Sequence, residues 1–442
     1  MVQISEIKVG TRVFLHTKKG DFECIILESS RSDILLVKLD SGYNIGVREE
    51  DILDIKLVKE KIEKDETGKK EKESVKAKSD KKNNLPNIVL IATGGTISSK
   101  LDYKTGGVKW LTDVEELLKF YPEILKIANI KKIETPFMKA SENMEFSDWE
   151  ILAEIAAEYL NKSDVDGIII THGTDFLHYS ASALSFTLQN LNKPVVLTYS
   201  QRSSDRASSD ARLNLICAAR AAVSDIAEVM LVGHANLDDE YCYALSGTKV
   251  RKMHSSRRDT FRSINSSPIA KVFADKVEVI SHFNPRDNSK KVELKNKFSD
   301  KVALVKFYPG QNPEILEYYQ SNGYKGVVVE MSGLGHVLTG EAKNNWLPKL
   351  KKVINSGFIV CAAPQTIYGG LDPMVYSAGR DIEKTGVIYL NDMLPETAFV
   401  KLGWVFGQLI GKGIDNEKVK KMMLTNYSKE FNDRISDKEF LN

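Results

Sequence analysis

The chain has 442 residues, room for two or three domains at about 150 residues each and for a large core that needs neither disulfides nor metals. Hydrophobic residues make up 42% and charged residues 28%, a globular mix rather than a disordered one. Lys+Arg 62 against Asp+Glu 60 leaves a formal net charge of +2, too little for a chain whose main task is gripping phosphate backbones.

No apolar run reaches the roughly 18 residues a membrane helix needs. The start, Met1-Val2-Gln3-Ile4-Ser5-Glu6, has neither the basic nor the apolar region of a signal peptide, so none is expected. Cys24, Cys217, Cys242 and Cys361 are scattered, without CxxC or His at ligand spacing. They read as free thiols of a reducing cytoplasm, with no metal site.

In chain order, residues 8–58 show short alternating apolar runs separated by turn signals such as Lys18-Lys19-Gly20-Asp21 and Asp40-Ser41-Gly42. This pattern predicts a small all-β barrel over 1–58, too short to house an enzyme pocket and suited to an adaptor role. Residues 59–84, KEKIEKDETGKKEKESVKAKSDKKNN, are dense in both signs of charge and nearly free of large apolar residues. Such a stretch buries too little surface to offset its ordering entropy and reads as a charged linker.

From 85 onward the pattern becomes strand–helix alternation. Continuous apolar runs at 87–92, 167–171, 194–199, 229–233, 302–307, 326–330 and 358–362 predict strands covered on both faces. Ser147-Asp148-Trp149-Glu150 reads as a capping box opening a helix, and 180–191, 211–223 and 398–410 have helical spacing. The expected fold class is α/β: open parallel sheets with helices on both faces. A break near 285–300 divides it into a larger lobe, 85–285, and a smaller one, 286–442.

Ligands in open α/β sheets sit beyond the carboxyl ends of strands, which draws attention to two loops. Thr93-Gly94-Gly95-Thr96-Ile97 follows the first strand of the large lobe, and Thr171-His172-Gly173-Thr174-Asp175 follows the next. Neither continues into Gly-Lys-Ser/Thr, so no P-loop is read, and no G-x-S-x-G elbow occurs. Paired glycines that admit close backbone approach, several hydroxyls and a carboxylate suit acyl transfer through a threonine nucleophile. Backbone N–H groups of the loops are candidates for an oxyanion hole. Taken singly, a Gly-Gly turn is usually just a turn; two such loops on one sheet are harder to dismiss.

TGGTI at 93–97 and ITHGTD at 170–175 resemble the two signatures of the bacterial-type L-asparaginase family. A third block, Arg251-Lys252-Met253-His254-Ser255-Ser256-Arg257-Arg258-Asp259-Thr260-Phe261, resembles the family's lysine-containing strand, and the likeness spans about 85–430. It implies Thr96 as primary nucleophile, Tyr103 as the mobile-loop tyrosine beside it, Thr174 as second threonine and Asp175 as a carboxylate helping to bind the substrate amine. Lys252 is implied as base partner of Thr174, with Lys249 its rival. Ser141 and Glu142, in a Ser-x-x-Met pattern, are implied as a substrate clamp, and Gly95 and Gly173 as loop backbone against the substrate. A working base must be uncharged, and the neighbouring Arg251, Arg257 and Arg258 are expected to favour that form of Lys252. Their other reading is a solvated or interface cluster. His172 is expected to shape its loop, and His178, His234, His282 and His336 are read as ordinary.

The small β domain, the linker, Gln201-Arg202-Ser203-Ser204-Asp205-Arg206 and the arginine-rich lysine block resemble one branch, the D subunits of archaeal glutamyl-tRNA(Gln) amidotransferases. That resemblance implies a glutaminase whose ammonia serves a partner, the E subunit, which would carry the ATP and magnesium chemistry on Glu-tRNA(Gln). It also implies a homodimer through the asparaginase-like domain within a heterotetramer holding two copies of each subunit. This chain itself is expected to need no cofactor. Two other readings stand beside it: a free-standing cytoplasmic L-asparaginase, and a non-catalytic RNA-binding or scaffold subunit.

Overall fold

The computed structural model describes residues 8–27, 29, 33–39, 44–58, 85–101, 108–110, 121–203, 208–411, 415–436 and 440. The charged stretch 59–84 and Tyr103 lie outside the described residues. Among the described residues no helix is long and apolar enough to cross a membrane.

The first unit is a five-stranded antiparallel sheet of β1 (Arg12–Thr17), β2 (Gly20–Ile26), β3 (Ile34–Leu39), β4 (Asn44–Arg48) and β5 (Ile52–Leu57). Its order is β4-β3-β2-β1-β5, the meander that short turns allow, with β5 returning to the far side of β1. Alternation along the strands buries Val13, Leu15, Cys24, Ile26, Val37, Val47 and Ile55 in one cluster.

The larger lobe begins with β6 (Asn87–Ala92), a hairpin of β7 (Ser99–Leu101) and β8 (Val108–Trp110), and β9 (Asn129–Glu134). Helix α1 (Phe146–Leu160), β10 (Gly167–Thr171), α2 (Leu177–Thr187) and the short β11 (Leu188–Gln189) follow. After them come β12 (Val195–Thr198), α3 (Ala211–Ala222), β13 (Val229–His234) and β14 (Cys242–Ser246). The ribbon β15 (Val250–Lys252) and β16 (Phe261–Ser263), then β17 (Ala270–Val272) and β18 (Val277–Val279), complete it, and the short β19 (Glu293–Leu294) beyond it pairs back with β11.

Eight of these strands form one sheet, ordered β18-β17-β14-β13-β12-β10-β6-β9. Strand β10, Gly-Ile-Ile-Ile-Thr, is buried throughout because both faces are covered. Ile88 and Leu90 of β6 pack towards α3, while Val89 and Ile91 pack towards α1 and α2, as a period of two requires. The expectation of a parallel sheet holds for β9, β6, β10, β12 and β13 and fails at one edge. There β14, β17 and β18 run antiparallel, so the sheet is mixed. No helix separates β13 from β14 or β14 from β17, and a parallel crossover needs one.

Helix α1 begins at Phe146, and its N-terminal box is Glu145 with Asp148, whose carboxylate accepts the Glu145 N–H at 2.8 Å. The expected Ser147–Glu150 box does not form, because Glu150 accepts from the Phe298 N–H (2.9 Å) and pairs with Lys297 (3.2 Å) instead.

The smaller lobe is an all-parallel sheet, β20-β21-β22-β23, of β20 (Val302–Lys306), β21 (Gly326–Met331), β22 (Ile359–Pro364) and β23 (Ile388–Tyr389). Helices α4 (Glu314–Ser321), α5 (Leu347–Asn355) and α6 (Ser377–Glu383) alternate with its strands, and α7 (Pro395–Gln408) and α8 (Asn416–Leu424) follow them. Phe186 of α2 stacks on Trp404 of α7 with ring centroids 5.7 Å apart, joining the lobes through their helices.

A buried ion pair also joins the lobes: Lys249 Nζ donates to Asp392 Oδ2 at 2.6 Å, both side chains being at most 2% exposed. Asp392 is satisfied further by the Asn432 backbone N–H (2.9 Å) and side-chain amide (3.0 Å). Asp392→Ala would strand the Lys249 ammonium in a dry site, and a loss of about 3–5 kcal/mol is expected. The unfolding midpoint in urea checks this; an unchanged midpoint would contradict the pair's role.

Candidate active site

Strands β6 and β10 are parallel neighbours, with Thr171 opposite Ala92, so their following loops leave the same edge of the sheet. The first loop is tied to the second by the Thr93 N–H and hydroxyl, which donate to the Thr171 carbonyl at 3.1 and 2.9 Å. Gly94 and Gly95 adopt φ of +117° and +78°, open to glycine and costly for side-chain-bearing residues. A Cβ on Gly95 would lie 2.3 Å from the Gly173 nitrogen, and one on Gly94 would lie 2.3 Å from the Lys139 carbonyl. Three backbone segments thus meet with no room for a side chain between them.

That contact orders the candidate residues. Thr96 and Thr174 each follow a glycine of the touching pair, and Thr96 opens a single turn, Thr96–Ser98. Ser141 is buried against Gly173, and its hydroxyl accepts the Phe176 N–H at 3.3 Å. Lys252, at the end of β15, reaches across to the second loop, where its Nζ donates to Thr174 Oγ1 at 2.8 Å and Asp175 Oδ1 at 2.7 Å. The Lys252 side chain is 11% exposed and that of Asp175 59%, so the pair sits at the mouth of the site rather than beneath it. Lys249, the rival, points away into its pair with Asp392.

The structure therefore brings together Gly95, Thr96, Ser141, Gly173, Thr174, Asp175 and Lys252. Glu142 is exposed, on the rim of a neighbouring cavity of about 720 Å³ lined by Phe146, Trp149, Phe176, Phe298 and Phe399. The arginines do not surround Lys252 with bare charge. Arg251 pairs with Glu396 (2.9 Å), Arg257 with Asp259 (2.9 Å) and Arg258 with Asp239 (2.8 Å).

His172 shapes its loop, as expected. Its ring is fully buried, with Nδ1 2.7 Å from the Gly173 carbonyl and Nε2 2.9 Å from Ser180 Oγ. Trp149 Nε1 in turn donates to that Ser180 hydroxyl at 2.9 Å.

Sequence reasoning missed His178 and Glu396, which line a cavity of about 360 Å³ with Asp175, Lys252 and Arg251. For His178 a signal existed, since it lies about one helical turn after Asp175 in the same loop–helix unit. None existed for Glu396, contributed by a helix of the other lobe. Among the described residues no group of three or more His, Cys, Asp or Glu is placed to hold a metal ion.

Fold and site together define an asparaginase-type chain. The family model described as Asparaginase, N-terminal matches residues 87–284, and that described as Glutaminase/Asparaginase C-terminal domain matches 301–423. The L-asparaginase of Thermococcus kodakarensis has a similar structure, with TM-score 0.68 and 30% identity over 79% of this chain and all of that one. For L-asparaginase I of Vibrio cholerae the figures are 0.67 and 27% over the same shares. The GatD N-terminal domain model matches residues 7–58. The chain is 48% identical to the glutamyl-tRNA(Gln) amidotransferase D subunit of Thermococcus kodakarensis, over 96% of this chain and 94% of that protein. Against the corresponding D subunit of Pyrococcus furiosus it is 45% identical over the same shares. The chain belongs to the family of glutamyl-tRNA(Gln) amidotransferase D subunits.

Burial holds the His172 imidazole down to about 4 and that of His178 to about 3, so both are neutral in the fold at neutral pH. Both groups take up protons near pH 6.5 once unfolded. Stability is therefore full above that pH and falls as the pH drops from about 6.5 towards 4. Urea midpoints measured across this range should decline, and His172→Asn should flatten the decline; an equal slope in the variant would contradict the assignment.

Proposed function

We propose that the chain is the glutamine-hydrolysing subunit of a tRNA-dependent amidotransferase and releases ammonia for a partner chain. The observation that carries the reading is the Lys252 amine held 2.8 Å from Thr174 and 2.7 Å from Asp175, beside a loop pair in contact at Gly95 and Gly173, the residues that precede Thr96 and Thr174. The N-terminal unit, matched by the GatD N-terminal domain model, favours the amidotransferase over a simple asparaginase.

In this mechanism Thr96 Oγ1 attacks the side-chain carboxamide carbon of glutamine, and the C–N bond breaks to give an acyl-threonine and ammonia. Water then cleaves the ester, releasing glutamate and restoring the hydroxyl. Thr174, Lys252 and Asp175 form the proton path: Thr174 takes the proton that Thr96 loses while passing its own to the Lys252 amine, Asp175 holds the ammonium so formed, and the proton returns by the same route to the departing nitrogen as ammonia leaves. Backbone N–H groups around Gly95 and Gly173 face the developing oxyanion, where each donor is worth about 3 kcal/mol. Ser141 and Glu142 bind the amino-acid end of the substrate, Tyr103 assists Thr96, and a second copy of the chain pairs through the asparaginase-like domain. The partner is the E subunit of the amidotransferase, two copies of each assembling on Glu-tRNA(Gln), with ATP and magnesium used by the partner in the cytoplasm. The lobes divide near 285, with 1–58 an adaptor and 59–84 its tether.

A second reading, a free-standing L-asparaginase, is favoured by the likeness to solved L-asparaginases over 79% of the chain. The purified chain should hydrolyse glutamine weakly and faster with partner and Glu-tRNA(Gln); robust asparagine turnover unaffected by the partner would favour the second reading. Thr96→Ala and Thr174→Ala should each lower glutamine turnover by about 10³-fold or more, and the double variant little further, because the groups act as a unit. Retained turnover in either variant would reject the role assigned to that threonine.

A further inference from the structure

Lys252 stands on an unusual support. Its strand, β15, is three residues long and pairs with β16 in a ribbon that joins neither main sheet. A ribbon of that size does not hold its own geometry in water.

Val250 and Phe261 bury it against the core of the larger lobe, and a second set of bonds reaches it from the smaller lobe. The Thr248 carbonyl accepts the Thr397 hydroxyl at 3.0 Å, and the Thr248 hydroxyl donates to the Ser428 carbonyl at 2.8 Å. Lys249 is pinned by Asp392, and Arg251, the residue before Lys252, is paired with Glu396 at 2.9 Å. Glu396 lies in the first turn of α7, where the helix dipole favours a carboxylate. Its side chain is only 10% exposed, while that of Arg251 is 26% exposed. The carboxylate is thus the fixed end of the pair and the guanidinium the end being placed. Arg251 and Lys252 are successive strand residues, so their side chains leave opposite faces of the ribbon. Holding Arg251 sets both the height and the roll of the backbone that aims Lys252.

We infer that Glu396 is a positioning residue: through Arg251 it fixes the β15 backbone so that the Lys252 amine meets Thr174 and Asp175. The inference rests on the reading of Lys252 as the proton-relay group. A displacement of about 1 Å in such a group costs on the order of 10²-fold in rate. The smaller lobe thereby takes part in chemistry whose reacting groups all come from the larger one.

The test uses the full-length chain, glutamine as substrate and steady-state kinetics, with Lys252→Ala as reference. Glu396→Ala should lower kcat 10- to 100-fold with KM within about twofold, since the loss is one of alignment. Glu396→Gln keeps the volume and an acceptor, so it should fall between wild type and alanine and covers the case in which alanine does not fold. Arg251→Glu combined with Glu396→Arg should recover activity relative to either single change. Lys252→Ala with Glu396→Ala should be no slower than Lys252→Ala alone, because the two act through one group. Full activity in both Glu396 variants, a raised KM at unchanged kcat, or a further loss on top of Lys252→Ala would overturn the proposal. Wild-type turnover retained in Lys252→Ala would instead remove the reading of Lys252, and the proposal with it.

Discussion

The backbone contact between Gly95 and Gly173 is the constraint from which the rest of the site follows. Two parallel strands fix the origins of their loops about 4.8 Å apart. Ordinary residues would push those loops away from each other within one step of leaving the sheet. Positive φ at Gly94 and Gly95 turns the first loop back over the second instead, and the missing Cβ at 95 lets it reach van der Waals contact with Gly173. Thr96 and Thr174 are the residues that follow this contact in their two loops. The hydrogen bonds from Thr93 to Thr171 hold that arrangement from below.

Around this rigid centre the charges are arranged so that each is answered locally. Asp259 is held down to about 2: burial opposes its ionisation, and the hydrogen bonds and charges of Arg257 and Arg262 outweigh burial. Asp239 sits between buried His234 and Arg258, at 2.9 and 2.8 Å. The arginine-rich block thus ties its own loop into shape. It is neither a bare positive field nor an uncommitted solvated patch. Lys252 is left facing one carboxylate and one hydroxyl, a simpler environment than its sequence neighbours suggest.

Much of this was legible in the chain. Continuous apolar runs marked β6, β10, β12, β13 and the smaller sheet, because strands covered on both faces leave no polar alternation to confuse the reading. The glycine–threonine loops were legible because two of them follow buried strands of one sheet, where a single Gly-Gly turn would have said little. The antiparallel edge was not, since β14, β17 and β18 are short and their direction depends on connections rather than composition. Spacing alone could not separate Lys249 from Lys252. Only the fold shows that one meets Asp392 across 143 residues and the other Thr174 across 78. The helix cap at Ser147 failed for the same physical reason, as Glu150 found partners at 297 and 298 that no local pattern announces.

Local signals therefore place the groups, and long-range ion pairs decide which of them are free to react. The N-terminal unit is the contrasting case. Its buried residues close on themselves in a single cluster drawn wholly from 13–55, and it supplies none of the residues gathered at the loops. A unit with its own core and no part in the site has no reason of chemistry to be present. Its retention beside an asparaginase-type fold argues for a task of contact rather than turnover. The smaller lobe has the opposite relation to the site. It contributes no reacting group to the loops, yet the bonds from Asp392, Glu396, Thr397 and Ser428 converge on Thr248, Lys249 and Arg251, three of the four residues that lead up to Lys252. Separating the lobes would remove these bonds and leave β15 with the packing of Val250 and Phe261 in the larger lobe's core, which buries the ribbon without fixing Arg251.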